Sequence, residues 1–146
     1  MKKTILLIGL LILSLSTILT SCDDDDETVI LTNNVITIGD AVSPITSVTS
    51  KTENDDTFII INTDAMELVF EFDKKESIPT GDYALTFDGK NTGVLTMVWS
   101  GVEYVLIGDL SISKSNGTYT LNASGNAFYD YYTFVPFSLY YNGKIK

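Results

Sequence analysis

The chain has 146 residues, room for one ordinary domain, and 45% of them are hydrophobic, enough for a packed core rather than wholesale disorder. Its formal charge is -10, from 9 basic residues, all Lys, against 19 acids, with no Arg and no His. Those absences exclude histidine triads, histidine metal sites and bidentate arginine clamps, and they make nucleic acid a poor partner.

The first segment is an address rather than a piece of the fold. Lys2 and Lys3 precede an uncharged run, Thr4 to Thr20, dominated by Leu and Ile. A positive start, a short apolar stretch and small residues before a break describe a cleaved secretory signal over 1–21. Leu19-Thr20-Ser21-Cys22 resembles the lipobox of bacterial lipoproteins. The resemblance implies that the Cys22 thiol takes a diacylglycerol thioether and that its freed amine takes a further acyl chain. Each buried methylene adds about 0.8 kcal/mol, so several chains anchor stably where one does not. Cys22 is the sole cysteine, so any disulfide would be intermolecular, and an incidental cysteine beside a signal anchor is the competing reading.

Asp23-Asp24-Asp25-Asp26-Glu27 follows directly. Five like charges repel and stay extended, as in a solvated tether over 22–27. A cysteine with an acidic run behind it also resembles the export signal of Bacteroidota-type lipoproteins. That resemblance implies an outer-membrane anchor facing the cell surface; the periplasmic face is the alternative. Loss of residues 1–21 removes two Lys and takes the formal charge from -10 to -12.

Residues 28–146 read as one β domain. Val35 to Ile38 and Ile45 to Thr49, the latter opened by Pro44, are short strands. Phe58-Ile59-Ile60-Ile61 is a continuous apolar run, expected of a strand covered on both faces. Met66, Leu68, Phe70 and Phe72 alternate with Glu67, Val69 and Glu71. Tyr83, Leu85 and Phe87 share a face, as do Leu95, Met97 and Trp99, the last read as core. Leu106, Leu110 and Ile112 share one with Gly108, where a bulge or close packing is expected. Tyr119, Leu121 and Ala123 alternate with polar residues. Val135, Phe137, Leu139 and Tyr141 form a last strand, where Pro136 argues for an edge or a bulge.

Asn116-Gly117 is a type I′ hairpin signal, because that turn needs positive φ at both positions. Pro79-Thr80-Gly81, Asp88-Gly89-Lys90-Asn91 and Asn142-Gly143 are further turns. About eight or nine short strands at this spacing predict an all-β, antiparallel two-sheet β-sandwich, with a small closed barrel as the alternative. Ile78-Pro79-Thr80-Gly81-Asp82-Tyr83, the block from Gly108 to Tyr119, and Tyr140 to Ile145 broadly resemble small β-rich lipoprotein domains of Bacteroidota. That resemblance speaks to fold and location and transfers no catalytic residue.

Carboxylates are the general acids and bases available in number: Asp55, Asp56, Asp64, Asp82, Asp109 and Asp130, with Glu53, Glu67, Glu71 and Glu103. Two of them across a cleft would suit glycoside hydrolysis, yet nothing in the spacing says which two converge. Asp55-Asp56 and Asp109 offer oxygen to calcium without EF-hand spacing. No catalytic residue, metal site or cofactor beyond the acyl chains on Cys22 is therefore assigned.

Phe128-Tyr129-Asp130-Tyr131-Tyr132-Thr133-Phe134 holds five aromatics in seven residues, and Tyr140 and Tyr141 follow. Tyrosine rings suit stacking on sugars or packing against a protein. Alternation puts Tyr132, Phe134 and Tyr140 opposite the core-facing set, so one face carries an aromatic strip. Tyr129, Tyr131, Tyr132, Phe134 and Tyr140 are the candidate ligand-binding residues. The reading is a lipid-anchored, non-enzymatic binding or accessory protein for a glycan or a partner protein. A structural envelope or appendage subunit and a lipocalin-like carrier of an apolar ligand are the alternatives.

Overall fold

A computed structural model describes residues 34–73, 75–87, 90–98, 100–129 and 133–146. Cys22, the 23–27 acids, Trp99, Asp130, Tyr131 and Tyr132 lie outside them. Ten strands follow one another. They are β1 (Val35–Ile38), β2 (Ala41–Pro44), β3 (Ser47–Glu53), β4 (Asp56–Asn62), β5 (Met66–Phe72), β6 (Gly81–Leu85), β7 (Asn91–Met97), β8 (Glu103–Ser115), β9 (Thr118–Phe128) and β10 (Phe134–Gly143).

All pairings are antiparallel, in the order β2-β1-β10-β9-β8-β7-β5-β4-β3, with β6 on β8. The fold is all-β as expected, but the expected two-sheet sandwich is corrected to a single sheet curled into a half-barrel. β2 and β3, the two edges, are consecutive in sequence and joined only by Ile45 and Thr46. Ile45 N–H donates to the Asn34 carbonyl and Thr46 N–H to that of Asn62, so the chain changes partner within one step. After β10, Ser50 N–H donates to the Lys146 carbonyl (2.8 Å) and Lys146 N–H to that of Val48 (3.2 Å).

The pairing partner changes along β8. Its first half pairs with β7 (Gly93↔Leu106 to Thr96↔Glu103), and its second with β6 (Gly81↔Ile112 to Leu85↔Gly108). The fork sits at Gly108, which faces Gly125 of β9. Their φ values, +154° and +157°, suit only residues without a Cβ. The inner faces of the strands make one core, with Ile59, Leu68, Phe70, Leu95, Leu106 and Leu121 wholly buried.

Local chemistry explains the turns. Asn116 and Gly117 have φ of 50° and 77°, as the type I′ reading requires. Asn54 and Asp55, at 53° and 70°, make a second such hairpin between β3 and β4 that lacks the glycine signal. The buried Thr63 hydroxyl accepts from the N–H groups of Ala65 and Met66 and so turns β4 into β5.

Several local expectations change. β4 alternates instead of burying both faces: Thr57, Ile59 and Ile61 are inside, Phe58 and Ile60 half-buried. Asn142-Gly143 ends β10 in pairing with Thr120 and Tyr119 rather than forming a turn. Pro136 lies on β10, an interior strand, one residue past the last pair with β1 (Ile38↔Phe137). Its carbonyl accepts from Gly39 N–H at 2.8 Å, so the donor it lacks is missing where the β1 ladder has already ended.

Candidate functional site

Two features of the outer face stand out. The first is an apolar row running across the strands. Ile60 pairs with Val69, Val69 with Val94, Val94 with Val105, Val105 with Phe128, and Phe128 with Phe134. Directly paired residues share a face, so six apolar side chains on six strands form one outward stripe. Polar rows flank part of it, Glu71-Thr92 on one side and Glu67-Thr96-Glu103 on the other.

The stripe ends in rings. Phe128 lies 4.4 Å from Phe134 and 5.3 Å from Phe87, centroid to centroid, and Tyr129 lies 5.7 Å from Tyr104. Phe87 is 62% exposed, Tyr129 57% and Phe134 56%, large fractions for rings already in contact with other rings. Phe87 was expected beside Tyr83 and Leu85 on a buried face; beyond the end of β6 it turns outward instead. Phe134 thus joins Phe87 and Phe128 in one outer-face aromatic patch, whereas Tyr129 contacts Tyr104, a ring that packs against the core. Tyr140, 40% exposed, is on the same outer face of β10 but six residues along the strand. Tyr141 is inside, and its hydroxyl donates to the Lys144 carbonyl at 2.7 Å. Burial pushes that phenol's pKa up.

The stripe was not legible without the register. Val69 sits between Glu67 and Glu71, and Val94 between Thr92 and Thr96, each an isolated apolar residue on a polar face. Only the pairing lines them up.

The second feature is polar. A concavity of about 410 Å³ lies over β6, β8 and β9, lined by Asp82, Tyr83, Ala84, Asp109, Leu110, Ser111, Asn122 and Ser124. Asp82 pairs with Ser111 and Ser111 with Asn122; Ala84 pairs with Asp109 and Asp109 with Ser124. Asp82 and Asp109 are diagonal neighbours, a relation that sets side chains roughly 7 Å apart. Both are exposed. Asp55, in contrast, sits in the β3–β4 turn and Glu103 at the start of β8, so the candidate carboxylates are scattered apart from this pair. Among the described residues, no group of three or more Cys, Asp or Glu is placed to hold a metal ion.

No protein-family model matches the chain, and no curated protein or solved structure matches it.

Proposed function

We propose that this is a lipid-anchored accessory protein of the outer membrane, displayed at the cell surface, that captures a partner on its aromatic patch. Cys22 carries the lipid, and the 23–27 acids act as a solvated spacer. The observation that supports recognition is the Phe87–Phe128–Phe134 cluster, continuous with the stripe from Ile60 to Val105. Contiguous exposed apolar surface of this kind marks interaction sites.

The placement of the patch favours an outward-looking tip. The described chain enters at Asn34, whose side chain accepts from Asn142 N–H near the end of β10. Phe134 opens the same strand, about 26 Å away at the usual rise per residue. Phe134 and Asn34 thus lie at opposite ends of β10. Flat aliphatic rows favour a protein partner there, with Phe87 and Phe134 as anchors.

The test uses intact cells making the full chain. Radiolabelled palmitate should enter the wild type and be lost in Cys22→Ala, and external protease should degrade the wild type. A photo-crosslinking residue at Phe134 should trap one discrete partner that the same residue at Ser50 does not. Labelling that survives Cys22→Ala would reject the anchor; identical crosslinks from both positions would reject the aromatic site.

A further inference from the structure

The polar concavity is a separate site, and we infer that it binds an uncharged glycan. Its volume, about 410 Å³, lies within the range of small-molecule sites, roughly 300–1,000 Å³. Its lining carries two carboxylates, two serine hydroxyls, the Tyr83 phenol and one primary amide on three adjacent strands. Nearby polar side chains bond within the protein: Asn142 Nδ2 donates to Thr120 Oγ1, and Tyr83 Oη to the Thr80 carbonyl. Among the described residues, Asp82, Asp109, Ser111, Asn122 and Ser124 make no such side-chain bond or ion pair. Their donors and acceptors all face the solvent in one patch.

The chemistry of the set selects the ligand class. Carboxylates accept only, the amide accepts and donates, and hydroxyls do either. Neighbouring sugar hydroxyls also do either, so they satisfy the whole set. An anion would meet Asp82 and Asp109 with no lysine among the lining residues. An ammonium ligand has donors only and would leave the Asn122 amide protons unmatched. Tyr140 completes the row Asp82-Ser111-Asn122-Tyr140, one strand beyond the lining, and 40% of it is exposed. An aromatic ring beside hydrogen-bonding groups is a platform for the apolar face of a pyranose. The concavity borders the Gly108–Gly125 pair, flanked by Asp109 and Ser124, so hydrogen-bonded β backbone positions the groups.

The experiment is calorimetric titration of the full chain in detergent with maltohexaose, cellohexaose, mannohexaose and chitohexaose, and with spermine as a cationic probe. At least one oligosaccharide should bind at millimolar concentration or better. Asn122→Ala and Asp109→Asn should each weaken it about tenfold, as loss of a hydrogen bond to a charged or amide group does. Tyr140→Ala should weaken it too, while Phe134→Ala leaves it unchanged. Amide shifts in the wild type should cluster at Asp109, Ser111 and Asn122, a readout independent of any variant's folding. Binding of spermine alone, binding of nothing, or glycan binding lost with Phe134→Ala but not with Asn122→Ala would overturn the inference. The last result would leave the aromatic-patch reading standing and move the glycan there.

Discussion

Gly108 and Gly125 face each other across β8 and β9, and neither position has room for a methyl group. A Cβ on Gly108 would run into the Ser124 carbonyl oxygen and come within 2.7 Å of Gly125 Cα; a Cβ on Gly125 would meet the Ile107 carbonyl oxygen in the same way. Both obstacles are backbone, which cannot rotate aside. Gly108→Ala and Gly125→Ala should each cost about 3 kcal/mol, combining an unfavourable φ with overpacking. Gly101→Ala, at φ +62° with nothing within 4 Å, should cost only about 1 kcal/mol. Urea midpoints of the three variants check the contrast.

Tyr141 makes stability depend on alkaline pH. Its phenol is raised above the ordinary value of 10.0 by burial. The folded state therefore holds this proton at pH values where the unfolded chain has released it. The contribution is complete below about pH 10 and is lost as pH rises from there through the folded value. Tyr141→Phe should cost about 1 kcal/mol at neutral pH through the missing bond to Lys144. It should also flatten the decline above pH 10, visible as a shrinking difference in unfolding midpoint from the wild type.

Gly93 and Phe70 are paired on β7 and β5, and the Phe70 ring lies over the glycine. A Cβ at Gly93 would come within 3.2 Å of that ring and 3.1 Å of Leu106 Cβ. Gly93→Ala should destabilise by about 1–2 kcal/mol through overpacking. Phe70→Leu alone should also destabilise, by emptying the core. Made together they should lose less than the sum, and a double-mutant cycle measures the difference.

Asp55 holds a φ of 70°, a conformation that costs an ordinary residue roughly 1–2 kcal/mol and a glycine nothing. Asp55→Gly should stabilise the β3–β4 hairpin by about 0.5 kcal/mol, after the entropy that glycine adds to the unfolded chain. Thermal unfolding of the variant tests it; an unchanged or lowered midpoint would mean that the carboxylate has a structural role.

The strands were largely legible because one face is buried and period-two alternation survives in β5, β9 and β10. β2 was not: Ala41-Val42-Ser43-Pro44 is short, mostly exposed and unpatterned, and exists because β1 offers it an edge. The sandwich expectation failed for a related reason. Alternation tells which residues turn inward, but not whether the strands divide into two sheets or remain one. The candidate site divides in the same way. Exposed Phe134 and Tyr140 followed from alternation, and Tyr129 entered on composition alone, whereas the stripe and the concavity are properties of register, invisible until strands far apart in the chain lie side by side.

The pairing of β1 with β10 has a temporal consequence. Asn34 and Asn142 are 108 positions apart yet share a hydrogen bond, and Lys146 completes the β3 edge. Contacts so distant along the chain form slowly, because loop closure comes before any reward. A chain made from its N-terminus cannot seat β1 against β10 until residues 134–143 have been made. Until then β1 and β9 each keep an unpaired edge, a state exposed to aggregation that β10 closes by pairing with both.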